Sequence, residues 1–224
     1  MSSAQRQKVA EDFDSIAPFV TEKWDHNNHY HDFLFKSLPQ NCQHALEIGC
    51  GIGTFSRLLA RRSSRVTAID LSPRMIEIAK NLSKSHTNID FQVADVLETK
   101  FPDEHFDAIV SIATFHHLPL EKVFPKLKNA LKTGGRLLIL DVSRIESVQD
   151  FFVGAAAFPL SLILKVFHNG FARPGKEERR AWARHDETDR FLSFSEAERI
   201  YSSHFEKAII RRNLFFRYSV IWEK

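Results

Sequence analysis

Cysteine is scarce in this 224-residue chain: Cys42 and Cys50 are its only two. That excludes a disulfide framework and makes a reducing, cytoplasmic setting the expectation. No repeat or low-complexity stretch interrupts the sequence, and no uninterrupted apolar run reaches the roughly 20 residues of a spanning helix. Residues 1–8 lack the apolar core of a secretory signal. An excess of charge of one sign is missing as well. The 31 basic and 28 acidic residues leave a net charge of +3, too balanced for a polyanion-binding surface, so no nucleic-acid partner is expected. At this length, with 43% hydrophobic residues, one globular domain over 1–224 has enough apolar side chains for a sizeable core.

Glycine is sparse too, eight in all, yet three of them fall at alternate positions, Gly49, Gly51 and Gly53. A short apolar run from about Ala45 precedes them and a helix-spaced set, Phe55, Leu58 and Leu59, follows. Strand, glycine-rich turn and helix together bring bare backbone N–H groups against a ligand, although a plain tight turn uses the same glycines. The dinucleotide fingerprint places its third glycine where this chain has Thr54. Glu47, two residues before the first glycine, suits a ligand that carries an amine more than one that carries phosphates. A second strand over 65–70 ends in Asp70, 19 positions beyond Gly51, where an acid accepts hydrogen bonds from a ribose diol or is simply a surface group. Ser72 and Pro73 then open a helix with Met75, Ile76 and Ala79 on one face. Asp95 follows a third strand, 89–94, where it either accepts from an adenine amine, with the Val96 N–H on a ring nitrogen, or caps a turn.

The whole pattern alternates strand and helix, the signature of a parallel sheet covered on both faces. Strands are expected near 44–49, 65–70, 89–94, 106–112 and 135–141, and helices near 54–62, 73–83 and 120–131, the last closed by Gly134 and Gly135. Ser195 and Glu198 read as a capping box opening a helix through about His204, and two further runs, 207–211 and 214–222, suit an antiparallel pair.

The run Glu-x-Gly-Cys-Gly-x-Gly at 47–53, Ala-Ile-Asp-Leu-Ser-Pro at 68–73, Ala-Asp-Val at 94–96, Phe-Asp-Ala-Ile-Val-Ser at 106–111 and Gly-Gly-Arg-Leu-Leu-Ile-Leu-Asp at 134–141 resembles the class I S-adenosylmethionine-dependent methyltransferases. More narrowly it is similar to their small-molecule branch, the ubiquinone/menaquinone-biosynthesis-like enzymes (methyltransferase type 11). The likeness covers about 10–142 well and the remainder weakly. It implies an α/β fold, a Rossmann-like, seven-stranded, mostly parallel sheet in the order 3-2-1-4-5-7-6 with strand 7 antiparallel, and S-adenosyl-L-methionine as cofactor. It also implies that Glu47, Gly49, Cys50, Gly51 and Gly53 pass under the methionine and ribose, that Asp70, with Leu71 and Met75, holds the ribose, and that Asp95 and Val96 address the adenine. Ser111 would end strand four beside the cofactor, and Trp24 and Tyr30 would cover its methionine end.

Methyl transfer from a sulfonium is an in-line displacement that needs a base only when the acceptor is protonated. His116 and His117, in the loop after strand four, stand where such sheets bind ligands, unless both merely tie the loop to neighbouring backbone. Members of the resembled branch often carry His-His-Leu here with one imidazole on the acceptor side. His185 is a second candidate, with capping or a surface role as the alternative. His26, His29 and His31 lack the spacing of a metal set, and no metal is expected. Enzymes that methylate nucleic-acid bases usually carry Asn/Asp-Pro-Pro-Tyr where this chain has Ser111-Ile-Ala-Thr114.

Two regions outside the core are expected to select the acceptor: a helical cap over 8–38, rich in aromatics, and a helical insertion or lid over 143–192. Within the insertion, the uncharged segment 151–164 contains Pro159 and runs into Lys165, His168, Arg173 and Lys176, with Glu177 and Glu178 close behind. It suits a core helix pair, a lid over a greasy pocket, or peripheral contact with a membrane; stable insertion is not expected, and the oligomeric state stays open. The expected activity is methyl transfer to a small, apolar or aromatic acceptor. The rivals are an NAD(P)-dependent oxidoreductase and a non-catalytic S-adenosylmethionine-binding regulator.

Overall fold

The computed structural model describes residues 2–170, 175–186 and 189–224; Arg173 of the expected basic flank lies outside them. Helix α1 (Ser3–Ile16) leads through two 3₁₀ turns, Ala17–Phe19 and Asn28–Tyr30, into α2 (His31–Ser37). The alternating core follows as β1 (His44–Ile48), α3 (Thr54–Leu59), β2 (Arg65–Asp70), α4 (Pro73–Leu82), β3 (Ile89–Val93), β4 (Phe106–Ile112), a 3₁₀ turn at Phe115–His117, α5 (Leu120–Ala130) and β5 (Leu131–Arg144). The chain ends in α6 (Val148–Asn169), α7 (Lys176–Asp186), β6 (Leu192–Ser193), α8 (Phe194–His204), β7 (Ile209–Asn213) and β8 (Arg217–Glu223).

The sheet runs β3-β2-β1-β4-β5-β8-β7. Its first five strands are parallel, and β8 lies antiparallel between β5 and β7. This is the expected order with one short strand added: β6 pairs parallel with the far end of β5, at Ser143 and Arg144. Because β1, β4 and β5 are covered on both faces, they read as nearly unbroken apolar runs rather than alternating ones. One face packs Leu46, Ile109, Leu137 and Ile139 against Phe124 of α5 and Tyr201 of α8. The other packs Ala45, Val110 and Leu138 against Leu34 of α2, Phe55 and Leu59 of α3, and Ile76 of α4. A third cluster, Ile16, Ala17, Ile52, Met75 and Ala181, fixes the N-terminal cap and α7 over the glycine loop and α4.

Three local expectations need correction. Helix α5 stops at Ala130, and Gly134, at φ 76°, sits in an irregular start of β5, where the pairing with β4 shifts between Phe106 and Ala108. The capping box of α8 is Ser193 with Glu196, not Ser195 with Glu198, because β6 delivers the chain to the helix two residues earlier. The apolar segment 151–164 forms neither a pair of helices nor a core element. It is part of one 22-residue helix, α6, which passes through Pro159 and exposes Phe151, Phe152, Phe158, Ile163 and Phe167. Both sheet faces are already occupied, and among its described residues α6 makes limited contacts, burying Ala157 and packing Gly154 against the Phe216 ring. Among the described residues it is the one helix long and apolar enough to cross a membrane, with a mean hydropathy of 1.7 over Asp150–Asn169.

Candidate active site

Parallel register levels the carboxyl ends of β1, β2 and β4, and a cavity of about 780 Å³ opens there. That is room for a nucleoside-sized ligand and a small second molecule. The glycine loop forms one end. Gly49 and Cys50 both donate backbone N–H bonds to the Ile69 carbonyl, at 2.9 and 3.0 Å, which pins the loop to the end of β2. Gly49 holds φ at 72°, and a Cβ there would overlap the Thr114 side chain, so no other residue fits. Gly51, at φ 50°, faces open cavity. Asp70 closes the motif: its carboxylate accepts from the Gly51 N–H at 2.8 Å and from the Ser72 N–H at 2.9 Å. Burial raises the Asp70 pKa against the pull of those two donors. Ser72 accepts from the Met75 N–H as the cap of α4, and its hydroxyl donates to Asp14 of α1, which brings the cap onto the cofactor end.

Leu71, Met75 and Val96 line the cavity, as expected, and Trp24 lines it from the N-terminal segment, where its backbone bonds Asn169 of α6. Six other expected cofactor residues are not on its wall. Glu47 is buried beneath the loop, where it accepts a hydrogen bond from the Ser56 hydroxyl of α3. Cys50 and Gly53 belong to the turn itself, Gly53 against Phe91 and Ala79. Ser111 is fully buried and donates to the Ile48 carbonyl at 2.9 Å, joining β4 to β1. Asp95 accepts from the Leu97 N–H and pairs with Arg6 of α1 at 3.1 Å, latching the cap rather than facing the cavity. Tyr30 donates its hydroxyl to the Leu214 carbonyl at 3.1 Å.

The Glu47 carboxyl is pushed up to about 8, because burial disfavours its charge more than Ser56 favours it. Its unfolded value is near 4.3. A carboxyl whose pKa is raised by folding stabilises the fold fully below the unfolded value and progressively less as pH climbs toward the folded one. Glu47→Gln is therefore expected to flatten the fall in thermal stability between about pH 5 and pH 8 relative to the natural chain. Parallel Tm–pH curves for the two proteins would show that Glu47 is ionised in the fold.

Another stretch of the cavity wall carries the histidines. Ala113 leaves β4 in the left-handed region, at φ 50°, and this turns Phe115–His117 across the mouth of the sheet. His116 and His117 both line the cavity, and α7 brings His185 to the same place. His116 Nδ1 lies 2.6 Å from the Oδ1 of Asp141, a fully buried acid at the end of β5's apolar run. Burial alone would lower the His116 pKa, but Asp141, aided by Asp189, outweighs it and holds the value above the ordinary one. His117 is driven down to about 2 by burial and by the neighbouring His116 and His185, so it stays neutral. Its Nε2 is buried with no hydrogen-bond partner among the described residues. Asp189 faces all three imidazoles, at 3.8 Å from His116, 3.4 Å from His117 and 3.5 Å from His185. Phe13 of α1 packs edge-on against His117 and His185, and Phe191 packs against His116.

Asp141, bonded to His116, and Asp189, on the cavity wall, belong to the site without having been expected there, whereas Phe13 belongs to the aromatic cap over 8–38 expected to select the acceptor. Asp141 had a signal, an acid ending a buried strand at the ligand-binding edge. Asp189 had none, since its place depends on how α7 returns to β6. The His26, His29 and His31 group is spent on packing: His26 stacks on Phe215 and bonds Ser161, His29 packs on Tyr30, and His31 on Phe55.

Known proteins fit this geometry. The methyltransferase-domain family matches residues 46–139, from β1 to β5. A ubiquinone biosynthesis O-methyltransferase from Xylella fastidiosa (strain 9a5c) is 29% identical over 190 residues, 78% of this chain and 76% of that protein. A demethylmenaquinone methyltransferase from Tropheryma whipplei (strain Twist) is 34% identical over 102 residues, 45% of this chain and 42% of its own length. Among solved structures, a geranyl diphosphate C-methyltransferase from Streptomyces coelicolor A3(2), in complex with Mg2+, geranyl diphosphate and S-adenosyl-L-homocysteine, superposes with a TM-score of 0.69 at 12% identity, over 99% of this chain and 98% of that one. The Gly51 opening and the Asp70 carboxylate beside it suit the ribose and methionine of S-adenosylmethionine. On the glycine loop, the sheet order and these matches together, the chain carries a methyltransferase domain over residues 46–139 and has the Rossmann-like fold of S-adenosylmethionine-dependent methyltransferases.

Proposed function

We propose that this enzyme methylates a hydroxyl group on a small, apolar or aromatic acceptor bound at the histidine end of the cavity. The observation that carries the reading is the His116–Asp141 pair, a buried imidazole held at 2.6 Å by a carboxylate on the wall of a cavity that Phe13 and Phe191 also line. S-adenosylmethionine supplies an electrophilic methyl on a sulfonium, already a good leaving group. The residues have then only to align the acceptor and remove its proton.

In this reading the backbone of Gly49 and Gly51 lies under the methionine, and the Asp70 oxygens, which keep lone pairs beyond those taken by Gly51 and Ser72, accept from the ribose diol. Val96 borders the adenine, and Trp24 closes the methionine end. Asp141 fixes His116 with its proton on Nδ1, so Nε2 is the atom that receives the acceptor's proton. His117, neutral and with an unpartnered Nε2, positions the acceptor's polar edge. The acceptor class is supported by the quinone-biosynthesis methyltransferases among the relatives. Lys165 and Asn169 of α6 line the cavity, and the exposed phenylalanines along the same helix favour arrival of a greasy acceptor from a lipid surface by peripheral contact.

A donor-turnover assay tests this across phenols, hydroquinols, amines and thiols, each soluble or carried in vesicles. Turnover confined to hydroxylated aromatics, and faster from vesicles for polyprenylated ones, is expected. Turnover of amines or thiols alone would refute the acceptor class.

A further inference from the structure

One cluster at the site is organised beyond what proton removal requires. His116, His117 and Asp189 each offer a ligand atom, all three within 4.8 Å of one another, and this is the one such group among the described residues. Their side chains are only 5%, 7% and 3% exposed, so the atoms converge in a protected corner rather than on a mobile surface. Three ligands at bonds of about 2.1 Å in tetrahedral arrangement stand about 3.4 Å apart. The Asp189 carboxylate lies near that spacing from both imidazoles, its Oδ1 3.4 Å from His117 Nδ1 and its Oδ2 3.8 Å from His116 Nε2. We propose that His116, His117 and Asp189 bind a divalent first-row cation of the Zn2+ class, with a fourth position open to the cavity for the acceptor's oxygen.

The surroundings favour a cation. A metal-ligating histidine characteristically gives its second ring nitrogen to a carboxylate, which fixes the tautomer and raises the basicity of the ligand atom. Asp141 stands in that relation to His116, with its Oδ1 also accepting the Val142 N–H at 2.8 Å. His185 Nε2, 3.5 Å from Asp189, is placed to orient the ligating carboxylate. The donor set, two imidazoles and one carboxylate with a vacant position, is that of a catalytic rather than a structural zinc site. Nitrogen-rich ligation selects against Mg2+ and Ca2+, which prefer all-oxygen sites.

The inference rests on the hydroxyl-acceptor reading for its chemistry, and deepens it. An acceptor hydroxyl in the fourth position is acidified by the cation and loses its proton to solvent. The oxygen pair then forms the new O–C bond as the C–S pair returns to sulfur, giving the methyl ether, S-adenosylhomocysteine and one proton, with the cation unchanged. The cluster in this state works as a Lewis acid, and as a base when no cation is bound.

Tag-free protein, stripped with chelator, is titrated with Zn2+ by calorimetry and with Co2+ by visible absorption. One equivalent with the spectrum of tetrahedral, nitrogen-ligated Co2+ is expected. His117→Ala and the shape-preserving Asp189→Asn should abolish it, Asp141→Asn should weaken it about 10–100-fold, and His26→Ala should leave it unchanged. Absence of stoichiometric binding, or binding untouched by His117→Ala and Asp189→Asn, overturns the site. In that case full turnover by the stripped enzyme would leave the methyl-transfer reading standing. Stoichiometric binding in a protein that methylates no hydroxyl would support the site and refute the reading.

Discussion

Replacing His116 with alanine lowers turnover of a hydroxyl acceptor by about 10²–10⁴-fold while leaving the affinity for S-adenosylhomocysteine unchanged. The separation follows from the layout of the cavity. His116 and Asp141 stand at the ends of β4 and β5, whereas the cofactor end is built from the loop after β1 and the end of β2. Asp141→Asn is the sharper variant, because it keeps the shape of the side chain and removes only the charge that fixes the His116 tautomer at 2.6 Å. A large fall in kcat, with binding of the cofactor product retained by calorimetry, is expected there too. Wild-type rates in both variants, measured on the true acceptor, would reduce the pair to a structural hydrogen bond.

The second large effect is at Asp70. Its carboxylate holds the Gly51 and Ser72 N–H groups at 2.8 and 2.9 Å and is the acceptor assigned to the ribose. Asp70→Ala leaves all of these donors without a partner, at a cost of about 1–3 kcal/mol. Cofactor affinity is expected to fall roughly 5–150-fold, toward the upper end because the loop loses its anchor together with the ribose contact. Asp70→Asn keeps one acceptor oxygen and should fall in between. Calorimetry with S-adenosylhomocysteine reads both, and an unchanged affinity would mean that the ribose is held by other groups.

The local geometry of the glycine loop was the legible part of the site. Its residues act through backbone and through short-range spacing: Gly49 and Gly51 need positive φ, Asp70 ends the neighbouring strand, and Ser72 caps the next helix. These are local requirements, and local requirements leave a pattern in the chain. The order of the strands was legible only through resemblance, since periodicity gives strands and not their neighbours. Glu47 and Ser111 were misplaced for one reason. A polar residue in a buried strand points either to a ligand or to the protein interior, and the interior partner, Ser56 for Glu47 and the Ile48 carbonyl for Ser111, emerges only on folding.

The acceptor end was far less legible. His116 and His117 were found from their place after β4, but Asp189 reaches them from 72 residues farther on, through the return of α7, and nothing local marks it. The core alternative for the 151–164 segment failed for a comparable reason: an apolar composition is compatible with burial, yet the sheet had no face left to give it, and the phenylalanines of α6 are exposed.

The most direct test of the central claim is isolation of the product formed from methyl-labelled S-adenosylmethionine and a hydroquinol acceptor. One labelled methyl per acceptor is expected, located on oxygen by NMR, with one equivalent of S-adenosylhomocysteine released, and none of either with His116→Ala on the same timescale. Label on carbon, nitrogen or sulfur, or tight binding of S-adenosylhomocysteine without transfer to any acceptor, would contradict it.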